Sequence, residues 1–562
     1  MPAATLDVDP EGHHHHHHHT PHRDMALASA ADADRLADFG YEQELKRGWS
    51  VLESFGISFS IISVITGVTT QLCSIFNRER RKPEFGLTNG GPGVMSVGWI
   101  CVSAFTMFVA LAMAEIRDPD LRRFAAYSTG YFNALGQAAV TTGIVYGCAS
   151  LIATLGALHG FEVTAARTVG IHAGLLVFGG IINTFGIRFL GILNRTSVVL
   201  HSLGVFALAV AVVAKAPTHR TAKEVFATFN DATGDPGWSP WDQTHDSFQP
   251  SSILLTQYTI TGFDASAHMS EETTNAQRSA PLGVIMSVGA SAIFGFFLLL
   301  CLLFSIQDFD NTIDSPVGQP VLQIFVDIFG TTGATVAFTL IILCVVLCGT
   351  FSLTSNSRMY YSAARDHLFP KFFAVVDGRS ATPVRTGALI WLAVLFAFIL
   401  ALPALGSSVA FTAVTSIATV GLYVSYAIPI VFRLLEHERF LAIRGPFYLG
   451  RSSRPVALVA SLYVGFITVV FCLPTMNPVD SQTLNYTPIA VGIVLVYISV
   501  SWFAWARKTF TGPRQTALDE VAHEPGMDAK GLATLEKSVT GSDSEREKEK
   551  SQGTAGLKEV EV

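Results

Sequence analysis

The sequence predicts an all-α protein that crosses a membrane about twelve times, and three observations predict it. First, half of the residues are hydrophobic and only 14% are charged, with mean hydropathy +0.42. A soluble protein carries about a quarter charged residues. Second, the charges gather at the two ends and in short loops, and the stretches between them are apolar for roughly 20 residues each, enough for a helix to cross a hydrocarbon core of about 30 Å. Third, these stretches are continuous. A membrane-spanning barrel is written in alternating segments of about ten residues, and a continuous apolar run satisfies its backbone in lipid only as a helix.

Taken in order, the chain opens with a polar tail, 1–50, holding a histidine run from His13 to His19. That run is tag-like or low-complexity, with at most weak metal affinity. The tail ends in "DADRLADFGYEQELKRGWS", patterned as a short amphipathic helix at the membrane surface. With no signal peptide ahead of it, the first span is expected to insert as its own anchor. Spans are predicted at 51–72, 92–115, 128–158, 168–187, 196–215, 251–271, 282–306, 334–357, 384–403, 408–433, 455–474 and 487–508. They fall into a first half at 51–215, a second at 251–433 and a closing pair at 455–508. The charge-dense tail 509–562 is expected to be disordered. Six of the seven cysteines (all but Cys73) fall inside spans, and their spacing resembles neither a disulfide framework nor a metal site. No metal or cofactor is expected.

Arginine and lysine set the orientation. With the N-terminus inside, the inner loops hold Arg117, Arg122, Arg188, Arg195, Arg278, Arg358, Arg365, Lys371, Arg433 and Arg451, among others, and an even number of spans returns the C-terminus to the same side. One segment runs against this pattern. "CSIFNRERRKPEF" (73–85) should face outward yet carries Arg78, Arg80, Arg81 and Lys82.

Two spans are polar at their centres. The first reads "SFGISFSIISVITGVTT" (54–70) and the sixth "QYTITGFDASAHMSEE" (257–272). Interrupted helices at matching places in two halves point to a site built by inverted five-span repeats. A broken helix frees amides that attract a carboxylate and carbonyls that attract an ammonium group or cation. A zwitterionic amino acid offers both. Small and hydroxyl residues also serve plain helix packing, so the first span alone fits either account. Asp264 says more, because a carboxylate at mid-membrane is costly unless it faces a polar interior. His268, one turn on, is its natural partner. His201 in span 5 suits proton coupling and equally suits a neutral buried role. Glu115 ends span 2, as part of an inner gate or as a headgroup-level residue. Tyr258 fits an aromatic gate or an ordinary packed ring. Ser352, Thr354, Ser355 and Asn356 in span 8 fit an ion site less well than helix packing.

No phosphate-binding "GxxxxGK[ST]" loop, nucleophile motif or "TVGYG" filter occurs, so the sequence offers nothing for ATP-driven pumping, hydrolysis or potassium-type conduction. The expected partners are a small-molecule substrate, the lipid bilayer and a coupling proton, and not nucleic acid.

"QYTITGFDASAHMSEETTNAQRSAPLGVIMS" (257–287) closely resembles the sixth span and following loop of amino acid permeases of the amino acid–polyamine–organocation superfamily. The branch is the one with fungal GABA and choline permeases and plant bidirectional amino acid transporters. "SFSIISVITGVTT" (58–70), "NGGPGVMSVGWI" (89–100), "YFNALGQAAVTTG" (131–143), "SNSRMYYSAARDHLFP" (355–370) and "AVTSIATVGLYVSYAIP" (413–429) agree, so the likeness covers about 33–515. The resemblance implies a fold of inverted repeats, spans 1–5 and 6–10, with spans 11 and 12 peripheral, and a substrate held between spans 1, 3, 6 and 8. It places Ser63, Val64, Ile65, Thr66 and Gly67 in the unwound part of span 1. Thr261, Gly262, Phe263 and Asp264 fall in that of span 6, Tyr258 is a gating aromatic, and His201 lies where some proton-coupled relatives replace a sodium site. The chain departs from the branch in the insert 73–85 and in a shortened linker after "MAE" (113–115). The implied function is secondary transport of amino acids or GABA across the plasma membrane, coupled to protons through His201 or Asp264. The alternatives are a choline or polyamine carrier, a nutrient sensor that binds without transporting, and an isoform disabled by the two departures.

Overall fold

The computed structural model describes residues 47–71, 91–116, 123–185, 187–228, 254–313, 315–370, 386–406, 408–442, 445–473 and 484–510. Residues 1–46 and 511–562 of the two tails, the insert 73–85 and the shortened linker's residues 117–122 lie outside them. Within them, eleven helices are long and apolar enough to cross a membrane. The predicted sixth span is present as well, in pieces too short to count among the eleven.

Span 1 is two helices, α1 (Val51–Ile62) and α2 (Val64–Gln71). Ser50 caps α1, with Glu53 reaching back to its amide in a reciprocal box. Span 2 is α3 (Gly91–Ala114), span 3 α4 (Arg123–Leu158) and span 4 α5 (Ala165–Phe185). Span 5 runs through α6 (Ile187–Val199), a π-turn (Leu200–Gly204) and α7 (Val205–Lys215). A short α8 (Ala222–Ala227), capped by Thr221, follows. Span 6 is α9 (Leu254–Thr259), an irregular stretch 260–264, and α10 (Ala265–His268). Beyond it come α11 (Ala276–Phe304), α12 (Phe309–Ile313), α13 (Pro320–Arg365), α14 (Thr386–Ala401) and α15 (Ser408–Leu435). The chain closes with α16 (His437–Ala442), α17 (Ser453–Cys472) and α18 (Thr487–Ser501), whose last turns continue as a second π-turn (Trp502–Ala506).

Span 8 is longer than its hydropathy suggests. α13 begins at Pro320, fourteen residues before the predicted start, and bends at Gly330, where φ is +70°. Gln319 caps it by accepting from the Leu322 amide, and donates to Thr69 O of α2 at 2.7 Å. The piece ahead of the bend, Pro320 to Phe325, is buried against the rest of the molecule.

The broken spans lie inside the bundle. α1 packs on α11 and α6, and α2 packs on α9. α4 runs between α15 and α13, while α5 and α14 pair beside it. α18 is peripheral as expected: Ile489, Ile493, Val496, Val500 and Phe503 recur every three or four residues and are exposed, a stripe that suits lipid. α17 has the same kind of outward stripe, with Leu458, Leu462, Phe466 and Val469 exposed, and a packed inner face. It packs on both α3 and α15, with Ala457, Ala460, Tyr463, Val464 and Ile467 buried.

Candidate substrate-binding site

The two breaks face each other, for reasons visible at single residues. Ser63 between α1 and α2 has φ +37°, in the left-handed region that a side chain tolerates poorly. Gly262 has φ +97°, and a Cβ there would lie 2.8 Å from Ile61 Cγ2. Only glycine has both the backbone freedom and the absent side chain needed at that point. Gly67 plays a second part: a Cβ on it would overlap the Thr259 side chain, so its absence lets α2 and α9 cross closely.

Serines sew α1 to the sixth span. The Ser58 hydroxyl donates to Phe263 O (2.9 Å) and accepts from the Ser266 amide (2.8 Å), and the Ser266 hydroxyl donates to Ser54 O (2.8 Å). On the other flank the Cys348 thiol of α13 donates to Ile61 O (3.1 Å). Backbone groups released by the breaks thus find side-chain partners, as buried polar groups must.

Asp264 is 2% exposed. Its Oδ2 accepts from Gln137 Nε2 of α4 (2.8 Å) and from His268 Nε2 (3.0 Å), while Oδ1 makes no bond of standard geometry, with the Tyr426 hydroxyl and the Asn133 side chain beside the carboxylate. Phe263 is fully buried, its ring 5.3 Å from that of Tyr426 on α15. Thr261 turns its hydroxyl back to Gln257 O. Val64 and Ile65 point their side chains into the core. As the first residues of α2 they carry amides without an intrahelical acceptor.

His201 lies in the π-turn of span 5 and is 1% exposed. Its Nδ1 is 2.8 Å from Ser197 O, and its Nε2 is 2.8 Å from Ser63 Oγ, which in turn lies 2.5 Å from Thr66 Oγ1. A carbonyl only accepts, so Nδ1 carries the proton and Nε2 accepts from Ser63. Thr66, Ser63 and His201 form one relay from the break in span 1 to span 5. π-turns concentrate at functional positions, and this one places the histidine against the break.

Beyond α10 two ion pairs reach across to α13. Glu272 pairs with Arg358 Nε (2.8 Å) and Glu271 with Arg365 (2.8 Å), both arginines on α13. The chain entering α1 runs alongside: Gly48 and Trp49 donate to Glu272 O, and Thr274 N donates to Trp49 O. Arg47 adds a bond to Thr273 O at 2.9 Å.

Residues 120–496 match the sequence profile of the amino acid permease family. The chain belongs to that family. Relatives along nearly its whole length agree. It is 38% identical to a rice protein named amino-acid permease BAT1 homolog, over 86% of this chain and 98% of that one. It is 37% identical to amino-acid permease BAT1 of Arabidopsis thaliana, over 85% and 95%. With the GABA-specific permease of Saccharomyces cerevisiae it shares 29%, over 88% of each chain. The protein is a multi-pass membrane transporter and not an enzyme, and its family is one of amino acid carriers.

The permease structure brings Ser63, Val64, Ile65, Thr66, Gly67, Thr261, Gly262, Phe263 and Asp264 to the facing breaks, with His201 and His268 each bonded to one of them. Tyr258 is half-buried on α9 near Cys348. Glu115 is elsewhere. It is buried in a clamp with Arg433, which also donates to Ala112 O and the Ser453 hydroxyl, and it accepts from the Leu449 amide (2.6 Å). The Arg433 guanidinium stacks 4.4 Å over Phe440. This joins α3, α15 and the start of α17. The hydroxyl cluster of span 8 serves packing: Ser352 bonds Thr141, Thr354 bonds Asn183, and Asn356 donates to Gln137 O and Thr141. Among the described residues no three His, Cys, Asp or Glu side chains converge as metal ligands would.

Gln137, Glu271 and Glu272 do not stand out in the sequence, and Arg358 and Arg365 stand out only as inner-loop charges. Gln137 lies in "NALGQAAV", where an amide side chain inside a long span is the only signal. The acidic pair of "HMSEE" and the arginines of α13 are more than eighty residues apart in sequence, and nothing but the fold pairs them.

Proposed function

We propose that this permease carries amino acids, GABA among them, by alternating access across the plasma membrane, with the substrate held between the two breaks. The observation that carries the proposal is the buried carboxylate of Asp264 in the break of span 6, the break that approaches span 1 where Gly262 meets Ile61 and Ser58 bonds Phe263 O. The substrate carboxylate meets the Val64 and Ile65 amides, where the helix dipole is positive. Its ammonium group meets carbonyls of 260–264 and Asp264. GABA enters the proposal because a GABA-specific permease is among the relatives.

The Thr66–Ser63–His201 chain is the proposed proton path, since its hydroxyls and imidazole are joined by hydrogen bonds from the break in span 1 to span 5. A proton on Nε2 reverses the Ser63 bond and so links protonation to the geometry of the break. The ion pairs of Glu271 and Glu272 with Arg365 and Arg358 form the proposed inner closure, with both tails in the cytosol.

Equilibrium binding of labelled alanine and GABA to the purified permease tests the site. Ser63→Ala should weaken binding several-fold and flatten its pH dependence. Binding unchanged by Ser63→Ala and Asp264→Asn would place the substrate elsewhere. Displacement by choline or spermidine but not by alanine would favour a cation without a carboxylate.

A further inference from the structure

We propose that span 11 is part of the transport machinery, and that Tyr463 is a positioning residue which holds the half-helix α9 docked through Gln257. Gln257 is fully buried on α9, one residue before Tyr258 and ahead of the irregular stretch 260–264. Both ends of its side-chain amide are engaged. The carbonyl accepts from the Tyr463 hydroxyl of α17, and the amide nitrogen donates to the Tyr423 hydroxyl of α15. Tyr463 is 6% exposed and Tyr423 fully buried. Phe105 of α3 stacks on the Tyr463 ring at 5.0 Å, fixing its direction, and Tyr423 lies edge-on to Phe263 in the break at 6.4 Å. α9 ends at the break after Thr259, so no continuous helix carries it on into α10. Its place is set by what it touches. Its contacts with α2 pass through the small Gly67, which favours close approach but offers no bond. The two tyrosines supply the directional tie, and one of them comes from a span outside the two five-span halves.

The inference deepens the proposed function, because it assigns a residue that controls the same broken span. α9 must move if the site is to open at that end, and the strength of its tie sets how often it does. Removing one buried hydrogen bond shifts such an equilibrium about fivefold or more.

The test is alkylation of Thr259→Cys in detergent-purified protein, measured as the increment over the Thr259-bearing chain. Thr259 is 2% exposed against Gly67 and becomes accessible only when α9 leaves α2. Tyr463→Phe keeps the ring and its stack on Phe105, so the fold stands. It should raise the alkylation rate about fivefold or more. In a Gln257→Leu background, where the acceptor is gone, the same substitution should add nothing. An unchanged rate with Tyr463→Phe would overturn the proposal. So would an effect that simply adds to that of Gln257→Leu, because Tyr463 would then act on α9 by another route. The readout needs no substrate, so failure of amino acid uptake leaves it decidable.

Discussion

Asp264 keeps one carboxylate oxygen engaged by Gln137 and His268, and the other, with Tyr426 and Asn133 nearby, makes no bond of standard geometry. An ammonium group arriving at that second oxygen would make a charge-assisted bond. Asp264→Asn preserves shape and removes that charge, and it should raise KM about 10- to 100-fold, the equivalent of roughly 1.5–3 kcal/mol. Uptake normalised to surface protein measures it. His201 makes a separate prediction. His201→Gln should leave amino acid exchange measurable while abolishing the stimulation of net uptake by external acid, which paired uptake and exchange assays at two pH values would show. Asp264 and its partner were legible in the sequence, since a carboxylate inside an apolar span demands a reason and His268 stands one turn away. Gln137 was not, because a neutral amide in a long span is cheap and common.

The irregular stretches were also legible as elements. "TITGFDAS" places glycine and polar residues in the middle of a span, and the structure answers with φ +97° at Gly262. Gly262→Ala should cost about 1–2 kcal/mol in backbone conformation alone, and more from its 2.8 Å approach to Ile61. Transport should be lost, with reduced yield of folded protein by size-exclusion chromatography. The bend of α13 at Gly330 escaped the sequence reading, because the piece from Pro320 to Phe325 looks like a loop approaching a span. Its burial depends on Gln319 reaching Thr69 of α2, a contact no local pattern encodes. The inner face of span 11 escaped it for a similar reason. Its apolar residues read alike whether they face lipid or protein, and the bond from the Tyr463 hydroxyl to Gln257 is visible only in the fold.

Across the whole molecule, two sets of charges, one buried and one half-buried, tie distant parts together. Glu115 and Arg433 join α3 to α15 and α17. Glu115→Gln should destabilise the fold by about 3–5 kcal/mol, since it leaves an uncompensated buried guanidinium. A lower unfolding temperature in detergent is expected, with partial recovery in Glu115→Gln combined with Arg433→Met. The pairs Glu272–Arg358 and Glu271–Arg365 instead lie next to the entry to α1, where weakening them should favour opening over unfolding. Glu115 marks the limit of sequence reading: an acidic residue at a helix end fits gate, headgroup layer or clamp, and its partner stands more than three hundred residues away.

The central claim is that amino acids are carried at the facing breaks of spans 1 and 6. Competition uptake tests it most directly, in cells lacking their own amino acid permeases, with surface-expressed permease and its Asp264→Asn variant side by side. The account predicts saturable uptake of labelled GABA, blocked by excess alanine and not by choline or spermidine, with the variant reaching the surface but needing far more substrate. Uptake by the variant indistinguishable from that of the unsubstituted chain would contradict it.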